Sequence, residues 1–240
     1  MSEKNKKTLG MMQPYFFPYL GYWQLMNLVD EYIIYDDVNF IKRGWIHRNR
    51  IKMNQGAVQF SISIRKVSQN KKINELYLNM NDDSRDKLLL TFQCAYSKAP
   101  YYEEVAALLK DILYCGKENL AAFLAYANRK TAEYMGITTK ILSATEMGLD
   151  HRHHGQDRIL DVCKDRGIER YIIAIGGKEL YDQESFSKIN CELKFLRMDE
   201  DIHYPQGKGT FLPSLSILDV LVYNSQEEVK DLLARYRLED

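Results

Sequence analysis

Two adjacent acids, Asp36 and Asp37, are followed within a short stretch by Lys42, Arg43, His47, Arg48, Arg50 and Lys52, with Trp45 and Asn49 interleaved. Carboxylates in such a setting hold ribose hydroxyls or a divalent cation, or accept a proton; guanidinium groups grip phosphate through paired donors. Asp36, Asp37 and His47 are therefore the candidate catalytic residues, acting in proton transfer. Lys42, Arg43, Trp45, Arg48, Asn49 and Arg50 are candidates for binding an anionic substrate. The bland alternative is a solvated basic loop paired with its own aspartates.

A second constellation precedes this one. Gln13-Pro14-Tyr15-Phe16-Phe17-Pro18-Tyr19-Leu20-Gly21-Tyr22-Trp23 stiffens a loop with two prolines, so that Gln13, Tyr15 and Tyr19 are presented at small ordering cost. The helix that follows aims its free N–H groups at the same place, where they favour a phosphate or carboxylate. Two later stretches supply an opposite wall. Gly176-Gly177-Lys178 sits between a buried strand and a helix without Walker spacing, and the segment from Tyr204 and Gln206 to Ser216 and Asp219 is rich in tyrosine, proline and capping serines. His151-Arg152-His153-His154 offers three imidazoles in a turn, which converge on a metal only with further fixed ligands. No metal site is assigned, and no cofactor can be named.

The elements that must position these residues follow from periodicity. Residues 8–13 form an apolar strand stopped by Pro14. Tyr19, Tyr22, Trp23, Met26 and Val29 recur at helical steps, and Tyr32-Ile33-Ile34-Tyr35 is a second buried strand. Strand, helix and strand make a βαβ unit whose ligands gather at carboxyl ends of strands, where Gln13 and Asp36 lie. Arg50–Met53 and Ala57–Ile64 predict a hairpin across Asn54-Gln55-Gly56. Residues 82–136 read as three helices, capped by Asp82 or Asp83 and divided at Pro100 and Gly116. The α/β pattern then resumes with a strand at Thr139–Ser143, a helix at Gln156–Arg166 and a strand at Tyr171–Ile175. A short helix at Glu179–Ser187, a strand at Leu193–Leu196 and two helices from about Ser214 and Ser225 follow. The expected fold is a single α/β domain over 1–240 with a mainly parallel sheet, a Rossmann-like βαβ core and a helical insertion at 82–136.

Composition narrows the function. The 33 basic and 33 acidic residues give no net field for a long polyanion, which argues against nucleic acid. Four separated cysteines carry no metal or redox spacing, and neither a signal peptide nor a transmembrane segment is visible. A soluble, cytoplasmic protein is expected. The 12% aromatic content, mostly tyrosine, suits sugar and base stacking.

Taken together, the blocks resemble the WbqC-like family of bacteria. The likeness rests on Gln13-Pro14, Pro18, Gly21-Tyr22, Asp36-Asp37-Val38-Asn39-Phe40, Trp45 and Arg48-Asn49-Arg50-Ile51. Its last block is matched by Tyr204, Gln206, Phe211, Pro213, Leu215, Ser216, Ile217 and Asp219. The resemblance implies work in surface-polysaccharide or O-antigen biosynthesis on a nucleotide-linked amino sugar, by acyl or aminoacyl transfer to its amino group. Two alternatives stay open: a nucleotidyl-transferring α/β enzyme, whose paired-histidine signature is missing at Pro14–Gly21, and a non-catalytic subunit that binds the sugar nucleotide.

Overall fold

The computed structural model describes residues 6–54, 56–150 and 152–240. Gln55 of the hairpin turn and His151 of the histidine-rich turn lie outside the described residues. The chain begins with β1 (Thr8–Met12), α1 (Leu20–Leu28) and β2 (Glu31–Ile34), then the hairpin β3 (Arg48–Met53) and β4 (Gly56–Ser61). Three helices follow, α2 (Asp82–Tyr96), α3 (Tyr102–Leu113) and α4 (Leu120–Tyr134). The α/β part resumes with β5 (Lys140–Ser143), α5 (Ala144–Met147), α6 (Gly155–Arg166), β6 (Arg170–Ala174), α7 (Gln183–Ser187) and β7 (Glu192–Met198). It closes with α8 (Ile217–Tyr223), α9 (Gln226–Leu233) and β8 (Tyr236–Glu239).

Six strands form one sheet in the order β5-β2-β1-β6-β7-β8. All neighbours are parallel except β7 and β8. The fold is thus mixed α/β with a mostly parallel central sheet. β2 is buried throughout and β1 at its centre, which is why they read as continuous apolar runs instead of alternating ones. The hairpin stands apart as its own two-stranded sheet. Buried side chains of the sheet, of the hairpin (Ile51, Phe60) and of α2 to α4 belong to one continuous apolar cluster.

Several expected boundaries move, each for a local reason. Asn81, not Asp82 or Asp83, caps α2 by accepting from the Ser84 N–H, and the two aspartates occupy the first turn. The strand expected through Ile64 ends at Ser61, beyond which Ile64 makes a single bridge to Leu78. The helix expected at Glu179–Ser187 is split: a 3-10 segment covers Ile175–Leu180, and Asp182 starts α7 afresh by accepting from the Ser185 N–H. Ser216, not Ser214, caps α8, and Ser225 and Glu228 close a capping box on α9. β8 and α5 carry no periodic signal of their own; β8 is a polar edge strand whose existence depends on pairing with β7.

Candidate functional site

The Gln13–Tyr19 loop turns sharply at Phe17, which adopts a left-handed φ of 48° that a bulky residue enters only under tertiary constraint. The constraint is visible. The Asn49 side-chain amide donates to the carbonyls of Phe16 (3.3 Å) and Phe17 (2.6 Å), and its oxygen accepts from the Arg50 N–H at 2.8 Å. Ser216 Oγ also donates to the Phe17 carbonyl, at 2.9 Å. The Pro18 carbonyl accepts from Trp23 Nε1 and from the Ile217 N–H, and the Ser216 N–H donates to the Arg50 carbonyl. Asn49 and Ser216 therefore clamp the turn from two sides, which brings three sequence blocks to one place.

Over this junction lies a pocket of about 300 Å3, lined by Tyr15, Pro18, Tyr19, Trp45, Asn49, Arg50 and Ser214. Gly21 makes room for the Tyr19 ring that lines it: a Cβ there would come within 2.6 Å of that ring. The guanidinium groups of Arg48 and Arg50 stand 5.9 and 5.6 Å from the centre of the Trp45 ring. Arg48 donates to the carbonyls of Gly44 and Arg43. Arg50 Nε is buried without a hydrogen-bond partner. No ion pair with a carboxylate is formed by either arginine among the described residues. Two cations beside one indole, neither paired with an acid among the described residues, favour an anion. Lys42 and Arg43 are exposed on the loop beside them.

The protonation states are set by burial. Tyr15 and Tyr19 have their hydroxyl pKa values pushed up by desolvation, so both remain neutral donors. His47 is held below the usual imidazole range by burial and then by the neighbouring Arg48 charge. Its Nδ1 is buried and unpartnered, and its ring packs 5.3 Å from Phe40. It does not line the pocket.

A larger cavity of about 530 Å3 shares Tyr19 and Ser214 with the first, and is walled by the segment from Met198 to Leu215 together with Leu20 and Val220. Beneath it sits a buried carboxylate. Asp219 accepts from Tyr96 (2.7 Å) and Tyr204 (2.9 Å), and its pKa is raised by desolvation against the pull of those bonds. Gln206 donates to the Tyr204 hydroxyl and is bonded both ways to the Leu212 backbone, while Lys52 Nζ donates to the Thr210 carbonyl. Tyr204, Gln206 and Asp219 thus hold the strap that forms one cavity wall, and Lys52 is buried under it. Ser214, at φ 57°, lies where the cavities meet.

Other residues singled out by sequence stand elsewhere. Asp36 is buried, accepting from Ser143 Oγ (2.6 Å), the Thr145 N–H (2.9 Å) and Thr145 Oγ1 (2.8 Å). Asp37 forms a buried two-pronged pair with Arg158 at 2.9 and 2.6 Å. Arg158 also donates to the carbonyls of Asp150 and Leu149 and lies 5.1 Å from the Tyr35 ring centre. The acids thus tie the carboxyl end of β2 to α5 and α6. Gln13 contributes its carbonyl to Tyr22. Gly177 sits with ordinary clearance, and Lys178 turns to the Asp240 carbonyl and the Phe195 ring, away from both cavities. In the histidine-rich turn, His153 Nδ1 pairs with Asp161 at 2.5 Å. Tyr15, Tyr19, Trp45, Asn49 and Arg50 do converge on one pocket. Phe211 and Ser214 lie in the stretch expected to form an opposite wall, whereas sequence reasoning did not extend that wall back to Met198, Ile202 and His203; the left-handed turn at Ser214 leaves no sequence signal.

The sequence model of the WbqC-like protein family matches residues 13–231. The chain is also 28% identical over 232 residues to the uncharacterized protein Rv1507c of Mycobacterium tuberculosis (strain ATCC 25618 / H37Rv), covering 95% of this chain and 97% of that one. No solved structure matches it. A match running from the Gln13 loop through α8 and into α9 takes in every element that builds the two cavities, and the chain belongs to the WbqC-like protein family.

Proposed function

We propose that the protein is a transferase of bacterial surface-polysaccharide assembly that binds a nucleotide-linked amino sugar and acylates its amino group. The observation that carries this reading is Arg50: a cation with a buried, unpartnered Nε in a pocket walled by Tyr15, Tyr19 and Trp45. Guanidinium beside aromatic rings is the chemistry that holds a sugar phosphate. The sheet order adds support. The chain runs from β1 outward through β2 to β5, then returns to the other side of β1 for β6 and β7, as in a Rossmann-like fold. The switch point falls beside β1, whose carboxyl end feeds the Gln13–Tyr19 loop, and open parallel sheets take ligands at that crevice. In the transfer, the amine nitrogen bonds to the acyl carbon, the leaving atom of the donor departs with its electron pair, and the amine proton passes to a base. His203 and Glu200 border the larger cavity and are able to receive it.

The test is a thermal-shift panel of nucleotide-linked amino sugars, followed by mass spectrometry with acyl and aminoacyl donors. A ligand at a hundredfold its Kd stabilises the folded state by about 2.7 kcal/mol, or roughly 5–11 °C for a chain of this size. Arg50→Ala is expected to abolish that shift. A panel without any shift, or an Arg50→Ala variant that responds like wild type, overturns the reading. Arg50-dependent binding with no mass change across the donors overturns the transfer and leaves a binding subunit.

A further inference from the structure

The larger cavity is built differently from its neighbour. Leu20, Ile202, Leu215 and Val220 form a buried apolar floor, whereas Glu200, His203 and Thr210 are exposed at its mouth. Leu215 is only 3% exposed yet stands outside the continuous core. The Tyr204 hydroxyl is committed to Asp219 and Gln206, so this residue offers the cavity its ring, set edge-on to Phe211 at 5.2 Å. The lining holds Asp199 and Glu200 but no lysine or arginine. An anionic group is repelled here and drawn to Arg50; an uncharged hydrocarbon is accepted. The strap is pinned by Lys52, Gln206 and Asp219, so the space is preformed and costs little ordering. At about 530 Å3 it has the volume of an ordinary small-molecule site.

From these observations we infer that the cavity between Tyr19 and the Met198–Leu215 strap is a hydrocarbon subsite, which takes the uncharged alkyl chain of the acyl donor. The phosphate of the nucleotide-linked sugar lies across Tyr19 and Ser214 on Arg50. The inference rests on the acyl-transfer reading of the same cleft, and the test below separates the two.

Isothermal titration of the full chain with ethyl, butyl, hexyl and octyl phosphate probes both subsites with one head group. Each methylene buried in the cavity is expected to raise affinity about fourfold. Thr210→Trp, which places a large side chain at an exposed position of the lining, is expected to flatten that dependence while ethyl phosphate binding is kept. Arg50→Ala is expected to weaken every member of the series. Wild-type binding that depends on Arg50 but not on chain length overturns the hydrocarbon subsite and leaves the phosphate pocket standing. Octyl phosphate that fails to bind, or a Thr210→Trp variant with the wild-type slope, overturns it too. Equal binding of ethyl phosphate to Arg50→Ala and wild type instead overturns the phosphate pocket itself.

Discussion

Asp37→Asn separates a structural aspartate from a catalytic one. In the folded protein Asp37 and Arg158 are each 3% exposed and joined by two charge-assisted bonds of 2.9 and 2.6 Å. The substitution preserves shape but strips the counter-charge from a guanidinium that stays buried against Tyr35. Breaking a buried pair from one side costs about 3–5 kcal/mol, since the remaining charge is left uncompensated. At roughly 2–4 °C per kcal/mol for 150–250 residues, Tm should fall by about 6–20 °C. Differential scanning calorimetry and urea denaturation measure it directly. The double variant Asp37→Leu/Arg158→Met supplies the control: with both charges replaced by apolar groups of similar volume, most of the loss should be regained. A catalytic aspartate behaves otherwise, because removing a poised charge from an active site leaves stability unchanged or improves it. If Asp37→Asn stays within about 1 kcal/mol of wild type while ligand turnover vanishes, the structural assignment of this pair is refuted.

Three further outcomes follow from the same geometry. His47 has a folded pKa below its unfolded one, so its contribution to stability is complete above the ordinary imidazole value and is lost as pH falls from there toward the lowered folded value; a Tm-against-pH series in which His47→Gln shows the same acid slope as wild type would contradict this. Asp219 has the opposite sign, its folded pKa being raised by burial. The Tm advantage of wild type over Asp219→Asn should therefore widen as pH drops through the raised value toward the ordinary carboxylate range, and a difference independent of pH counts against it. Gly21→Ala would set a Cβ within 2.6 Å of the Tyr19 ring and push the ring out of the pocket. Ligand-induced stabilisation should drop severalfold with the unliganded Tm close to wild type, and an unaltered ligand response would show that the Tyr19 position is not needed.

Much of the scaffold was legible because its causes are local. Pro14 ends the first strand, the helical spacing of Tyr22, Trp23 and Met26 marks α1, and Gly167 in a left-handed conformation closes α6 where the sequence placed it. The aromatic and basic residues of one pocket wall were legible too, since Trp45, Asn49 and Arg50 lie within a few residues of one another. Pairing across the fold was not. Asp37 finds Arg158 at a separation of 121 residues, and an acid beside a strand end looks the same whether it awaits a substrate or faces a buried guanidinium. Lys178 reads as an anion ligand in sequence and is turned to the C-terminus by a contact 62 residues away.

By itself, the sequence determined the parallel α/β framework, the family, and the residue types able to meet an anion, because periodicity, caps and proline act over a few residues. Only the tertiary structure decided which of those charges are spent. The Phe17 turn is held by Asn49 from 32 residues away and Ser216 from 199, and the larger cavity exists because one strap is pinned across Tyr19. Such arrangements depend on burial, which assigns every polar group a partner or leaves it, like Arg50 Nε, without one.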